Sequence, residues 1–163
     1  MNSIFHRVSI RKYQQCAVPD KLLTLLLRAA MAAPSAGNQQ PWEFYIVRDR
    51  SAIQALSKAT PYSLCAAQAP VVIVPCMRVG CLSDAHRLLD LSAATENLLL
   101  QAESLGLGAC WIGIAPQPEW IENVRKILSL PSTLEAFALI PCGFPAEERV
   151  QQDRFEPQRV HYV

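Results

Sequence analysis

The chain has 163 residues, of which 51% are hydrophobic and 18% are charged, and its formal net charge is +1. This length suits one domain with one sizeable core, and the near-neutral charge argues against a broad nucleic-acid-binding surface. No stretch reaches the roughly 18 consecutive apolar residues of a membrane span, and residues 1–13 lack the apolar core of a signal peptide. We therefore expect a cytoplasmic protein with no nucleic-acid and no membrane partner.

Taken in chain order, the hydrophobic pattern predicts helices and strands that roughly alternate, which favours an α/β or α+β layered domain. Leucines crowd the segment 20–33, so we expect that helix to be buried on nearly all sides. The longest helix has two apolar sides, which is typical of a helix at the centre of an assembly. The predicted helices are 20–33, about 50–59, 84–106 and 118–130, and the predicted strands are 43–48, 70–75, 109–114 and 136–143.

The cysteines and histidines do not form a pattern typical of a metal site. The six cysteines stand at positions 16, 65, 76, 81, 110 and 142, without a C-x-x-C pair, and several lie in apolar runs. We interpret them as free, mostly buried thiols rather than a disulfide framework or metal ligands. The three histidines are scattered, and no local Ser-His-Asp or Cys-His arrangement is apparent.

Arginines mark two candidate phosphate-binding segments. Arg7, Ser9 and Arg11 recur at every second position, so they share one side of an extended segment. Two guanidinium groups and a hydroxyl on one side suit a phosphate, although a solvated basic terminus would show the same pattern. The tail carries Arg149, Arg154 and Arg159, for which simple solubility is the alternative interpretation.

Two further segments suit a flat heterocycle. The loop 33–42 is rich in amide side chains, which can pair with donor and acceptor edges of a ring, although it is equally an ordinary connecting loop. The segment 106–113 is not a dinucleotide-binding G-x-G-x-x-G turn, because its third glycine is misplaced. Gly113 inside a predicted strand indicates close approach of the backbone to something flat.

Together and in this order, five segments resemble the nitroreductase family of flavoproteins. They are 7–11 (R-x-S-x-R), 33–42 (A-P-S-x-x-N-x-Q-P-W), 92–97 (S-A-A-T-E-N), 106–113 and 143–148. The resemblance covers nearly the whole chain. It implies one nitroreductase-like domain over 1–163, with 144–163 as a C-terminal wrapping tail. The implied fold is α+β, with a central, mainly antiparallel sheet flanked by helices, in an interlocked homodimer.

The resemblance also implies a cofactor, FMN, which lies at the dimer interface and touches both chains. The segment 7–11 and Arg154 would hold its phosphate and ribityl chain, the 34–38 segment would reach the partner's flavin, and 112–113 would lie along the ring. Because the flavin carries the chemistry, no catalytic side chain is expected. The implied cofactor-binding residues are Arg7, Val8, Ser9, Arg11, Pro34, Ser35, Ala36, Asn38, Ile112, Gly113 and Arg154.

The implied activity is the reduction of small nitroaromatic or quinone-like acceptors with NADH or NADPH, by a ping-pong two-electron mechanism without a metal. A flavin-binding redox sensor or carrier, and a specialised relative such as a reductive dehalogenase, are the alternatives. Gln152 stands where many members carry a lysine, which weakens one phosphate contact. The connection 77–84 is short, so it leaves little room for a substrate lid.

Overall fold

The computed structural model describes residues 3–163, and in this part of the chain every pair of strands in the central sheet is antiparallel. The order is β1-β2-β6-β3, with β5 beside β2 and β4 beside β6. The strands are β1 (Trp42–Val47), β2 (Val71–Arg78), β3 (Gly108–Ala109), β4 (Ile112–Gly113), β5 (Leu134–Ala136) and β6 (Ala138–Gly143).

Helices cover both faces of this sheet. Side chains of β2 alternate between two cores, because successive residues of a strand point to opposite faces. The helices are α1 (Ser3–His6), α2 (Asp20–Met31), α3 (Arg50–Leu56), α4 (Arg87–Ser104) and α5 (Pro118–Leu128). Val71 and Ile73 pack with helices α2 and α4, whereas Val72 and Val74 pack with α3 and α5. This arrangement confirms the predicted α+β fold with an antiparallel sheet flanked by helices.

The prediction that helix 20–33 is buried on nearly all sides is wrong for the single chain. Only Leu23, Leu26 and Ala30 of α2 are buried, at the three- and four-residue spacing of one helix face. The remaining leucines are half-buried, and Met31 is 50% exposed. Neighbouring residues of a helix point about 100° apart, so a run of leucines cannot face one core entirely.

Two predicted strands are each divided. The segment 109–114 is interrupted between β3 and β4, and the segment 136–143 is interrupted at Phe137, between β5 and β6. At the second break, the N–H groups of Ile114 and Ala115 both donate to the Phe137 carbonyl, each at 3.0 Å. Such shared pairing marks a bulge, which the alternation of apolar residues does not encode.

The other predicted elements lie within a few residues of their predicted bounds, and the structure adds short elements that were not predicted. The short helix α1 is missing from the predictions, and the predicted helix 84–106 begins with a 3₁₀ turn at Asp84–His86 before α4. The segment 144–163 contains one 3₁₀ turn, at Pro157–Arg159. Within residues 3–163, no helix combines the length and apolarity that a membrane span requires.

Candidate functional site

The two predicted arginine segments meet at one cleft of about 370 Å³. Its walls are the N-terminal segment 7–11 and the tail segment 149–154. We call this cleft the arginine cradle; four arginines and one serine are among the residues that line it. The predicted residues Arg7, Val8, Ser9, Arg11 and Arg154 all line the cradle, together with Arg149, which the sequence did not assign to the site.

The N-terminal wall is fixed by the packing of Ile10. The Ile10 N–H donates to the Ala109 carbonyl at 3.0 Å, and the Ile10 side chain is buried. Gly108 makes this approach possible, because a Cβ at that position would lie 2.7 Å from the Cβ of Ile10. With Ile10 turned inward, Ser9 and Arg11 on either side turn toward the cradle, as the predicted alternation requires.

The tail wall is tied to the N-terminal segment by backbone hydrogen bonds. The Gln14 N–H donates to the Phe144 carbonyl, and the Ala146 N–H donates to the Lys12 carbonyl, both at 2.9 Å. The buried Tyr13 hydroxyl lies 3.0 Å from the Pro141 carbonyl oxygen, and burial raises the pKa of this hydroxyl well above its usual range. Residues more than 125 positions apart therefore form one structural unit.

Glu147 joins the two walls directly. Its Oε1 accepts hydrogen bonds from the backbone N–H groups of Arg11, at 2.7 Å, and Lys12, at 3.2 Å. Its Oε2 accepts a hydrogen bond from Nη2 of Arg149 at 3.2 Å. The Arg11 hydrogen bond is the main reason why the pKa of the Glu147 carboxyl is lowered. Glu147 thereby fixes the position of the Arg11 backbone and of the Arg149 side chain.

The cradle carries an excess of positive charge. Arg7 pairs with Glu96 of α4 at 3.3 Å, and Arg149 pairs with Glu147, whereas Arg11 and Arg154 have no carboxylate partner among the described residues. No acidic residue in the described part of the chain lines the cleft itself. This balance suits a doubly negative group such as a phosphate monoester, which guanidinium groups bind with paired hydrogen bonds.

Cys110 lies in the same core cluster as Ile10, and Cys65 packs against that cluster. The Cys110 thiol is buried, and its Sγ lies 3.9 Å from the Trp111 carbonyl oxygen. The interaction with Cys65 and the positive charge of Arg11 lower the pKa of the Cys110 thiol. The interaction with Cys110, together with burial, raises the pKa of the Cys65 thiol. All six cysteines are free thiols, and Cys76 and Cys142 are buried with Cys110.

The second group of predicted residues, in the loop 34–40, does not line the cradle. Buried Asp90 holds this loop: its Oδ1 accepts from the Ala36 N–H at 2.9 Å, and its Oδ2 accepts from Nε2 of Gln39 at 2.7 Å. The Ser35 hydroxyl accepts from the Gln40 N–H at 3.0 Å. The loop is therefore rigid, although Pro34 and Asn38 are exposed and Asn38 has a φ of 55°.

The third group, in β4, offers an open backbone surface. Ile112 is buried in the core, whereas the next residue, Gly113, is exposed. A Cβ built on Gly113 would meet no atom within 4 Å. The strand therefore presents bare peptide groups at this point, which leaves room for a flat ring to lie against the backbone.

Comparisons with known proteins agree on one family. The nitroreductase family model matches residues 4–79 and 65–144. A relative from Methanothermobacter thermautotrophicus, described as a "Putative NADH dehydrogenase/NAD(P)H nitroreductase", is 39% identical over 99% of this chain and 85% of its own length. An FMN-dependent nitroreductase from Clostridium difficile has a solved structure with a TM-score of 0.92, at 29% identity over 99% of this chain and 97% of that one. A nitroreductase structure in complex with FMN, from Desulfovibrio desulfuricans, has a TM-score of 0.86, at 30% identity over 99% and 94% of the two chains.

Proposed function

This chain belongs to the nitroreductase family, and we propose that it is an FMN-dependent oxidoreductase that uses NADH or NADPH to reduce small nitroaromatic or quinone-like acceptors. The observation that carries the proposal is the arginine cradle, in which Arg7, Arg11, Arg149 and Arg154 surround one cleft with the Ser9 hydroxyl. The cofactor is supported by the FMN complex of the Desulfovibrio relative, and the electron donor by the name of the Methanothermobacter relative.

The residues present fit FMN. Its terminal phosphate is a dianion, and the cradle supplies four guanidinium groups to bind it. In the described part of the chain, only two carboxylates, those of Glu96 and Glu147, pair with these guanidinium groups, so the cradle keeps a net positive charge. The bare backbone at Gly113 fits the flat ring. A pyrophosphate, as in FAD, is usually bound by a glycine-rich turn between a strand and a helix. The glycines of 106–113 instead follow the end of α4 and lie before and within strands β3 and β4, which favours FMN.

In the proposed mechanism, the protein binds and orients while the cofactor reacts. Bound FMN would supply two-electron transfer, by taking a hydride from NAD(P)H and reducing the acceptor in a ping-pong sequence. Arg7, Arg11 and Arg154 would neutralise the phosphate, and Ser9 would donate a hydrogen bond to it. Arg149 would supply a positive charge near Gln152, where the resemblance to the family leads us to expect a lysine.

We propose that the acceptor site is open. The connection between β2 and α4 contains eight residues, 79–86, three of which form a 3₁₀ turn. So short a connection offers no lid of its own, and the exposed backbone at Gly113 leaves the ring face accessible. An open, flat binding site accepts planar aromatic molecules with little selectivity.

We also propose a homodimer with shared sites. The loop 34–40 is ordered by Asp90 but does not line its own cradle, so Pro34, Ser35, Ala36 and Asn38 would contact the flavin of the partner. Large hydrophobic side chains remain exposed on the single chain, and a partner subunit would cover some of them. They include Ile4, Phe5, Met31, Leu89, Val150, Phe155 and Tyr162.

The enzymatic proposal is tested on the purified protein. Flavin released by heating is identified by chromatography, and the yellow holoprotein is titrated under nitrogen with NADH and with NADPH. We expect FMN, bleaching by at least one nicotinamide, and return of the colour on addition of a nitroaromatic or a quinone. Recovery of FAD, or failure to bind FMN after reconstitution, would contradict the proposal. A bound flavin that neither nicotinamide bleaches would favour a redox sensor or carrier.

Subunit mixing tests the shared site. One inactive variant is Arg7→Ala/Arg11→Ala, which damages the cradle of its own chain, and the other is Ser35→Trp/Asn38→Ala, which damages the partner's ring site. In a heterodimer both lesions fall on one site, so refolding the variants together restores up to about a quarter of wild-type activity if pairing is random. Sites built within one chain would give heterodimers without any recovery.

A further inference from the structure

The connection 79–86 between β2 and α4 is bound to the loop 34–40, the segment that would contact the partner's flavin. The side-chain amide of Gln39 makes two hydrogen bonds with the backbone of Ser83. Its Nε2 donates to the Ser83 carbonyl at 3.1 Å, and its Oε1 accepts from the Ser83 N–H at 2.8 Å. The same Nε2 donates to the buried Asp90 carboxylate at 2.7 Å. The loop and the connection therefore form one structural unit.

Both ends of the connection are fixed as well. At its start, the Val79 N–H donates to the Thr133 carbonyl at 2.9 Å. At its end, Arg87, the first residue of α4, pairs with Asp84 at 3.0 Å. Leu82 lies between these two attachments and directly before the residue that Gln39 binds, so the fold determines where its side chain is presented.

Leu82 lies on the exposed side of this unit. Its side chain is 83% exposed, and a Cβ built on Gly37 would lie 3.1 Å from its Cδ2. Gly37 and Asn38 are exposed, whereas the Gln39 side chain turns inward to Asp90. An exposed leucine is ordinary on a protein surface. Leu82 differs in its position, because it stands beside the exposed residues of the loop that would face the partner's ring.

We propose that Leu82 is a specificity-determining residue for the acceptor: it forms an apolar wall at the partner's ring site and favours planar acceptors that carry an alkyl substituent. The inference rests on the proposed function, because it requires a flavin site that the loop 34–40 of the other chain completes. Leu82 does not cover the ring. An alkyl group that packs against its side chain removes apolar surface of both groups from water, which a polar side chain at this position would not offer.

The first experiment compares two quinones that differ only in an alkyl group, p-benzoquinone and its tert-butyl derivative. Their kcat/KM values are measured on the FMN-reconstituted protein with the nicotinamide that bleaches it. Leu82→Asn should lower kcat/KM for the tert-butyl quinone, relative to the parent quinone, by about three- to ten-fold, because a contact on one side discriminates less than a closed apolar pocket. Leu82→Met, the conservative variant, should keep the wild-type ratio.

Val79→Asn is the matched control, because Val79 is an apolar residue of the same connection, 45% exposed, and its backbone is bound to Thr133 rather than to the loop 34–40. It should keep the wild-type ratio of the two quinones. An unchanged ratio in Leu82→Asn, or an equal fall in Val79→Asn, would overturn the inference and leave the proposed function intact. A wild-type protein that binds no FMN, or that reduces neither quinone, would overturn the proposed function and the inference with it.

The second experiment shows which chain's site Leu82 serves. When Arg7→Ala/Arg11→Ala chains and Ser35→Trp/Asn38→Ala chains are refolded together, the recovered site combines the loop of the first chain with the cradle of the second. Leu82→Asn on the first chain should therefore lower the quinone ratio of the recovered activity, whereas Leu82→Asn on the second chain should not. The reverse result, or no change from either chain, would overturn the inference. Heterodimers without recovered activity would refute the shared site and, with it, the role of Leu82.

Discussion

Replacing Arg11 by alanine should weaken the binding of FMN far more than the binding of riboflavin. The Arg11 guanidinium has no carboxylate partner among the described residues, so its removal frees no buried acid. A hydrogen bond to a charged group contributes about 1.5–3 kcal/mol. Arg11 is exposed before a ligand binds, and three other arginines line the cradle, so solvent and neighbours reduce this value. We expect a loss of about 2 kcal/mol, or roughly 30-fold in the dissociation constant.

The assay is flavin fluorescence quenching on flavin-free protein titrated with FMN and, separately, with riboflavin. The Arg11 N–H that Glu147 binds is a backbone group and survives the substitution, so the fold should persist. Lys12→Ala is the matched control, because Lys12 is exposed and its side chain does not line the cradle. It should leave both affinities nearly unchanged. Equal losses for FMN and riboflavin would show that Arg11 acts through the fold, and an unchanged FMN affinity would place Arg11 outside the site.

Three further substitutions test the supports of the site. Glu147→Ala should cost about 1–3 kcal/mol of stability and weaken FMN binding, because Arg11 and Arg149 lose their common acceptor. Because the fold lowers the pKa of Glu147, the stabilisation that its carboxylate gives the folded protein is complete above the ordinary glutamate pKa. This stabilisation disappears as the pH falls through the lowered pKa, and urea unfolding at neutral and acidic pH measures the loss. Gly108→Ala should destabilise the protein by about 1–3 kcal/mol through the clash with Ile10, measured by the same unfolding assay. Gly113→Val should leave the unfolding midpoint almost unchanged and still reduce FMN affinity, because its side chain enters only the space assigned to the ring.

The parts of the fold that local patterns specify were predicted well. The segment 70–75 was predicted as a strand and lies in β2, which is buried on both faces, and the alternation of Arg7, Ser9 and Arg11 placed these residues on one wall. In both cases the pattern of residue types along the chain follows from the geometry of an extended backbone. Such a pattern can be recognised in the sequence without knowledge of distant contacts.

The residues that were missed depend on distant contacts. Arg149 was noted with the other tail arginines but not assigned to the site, because only its hydrogen bond to Glu147, and the return of the tail to Lys12 and Tyr13, bring it to the cradle. Asp90 lies in the longest helix, and nothing in its neighbourhood along the chain indicates that it holds a loop 54 positions away.

The hydrogen bond between Arg11 and Glu147 spans 136 positions of the sequence, and this has a consequence for biosynthesis. During translation the N-terminal wall of the cradle is made first, but the opposite wall exists only after residues 147–154 have left the ribosome. Bringing such distant segments together costs more loop entropy than forming local helices and comes later in folding. Until then the nascent chain has no complete place for a phosphate, so the cradle cannot bind one before residues 147–154 have packed against the N-terminal segment.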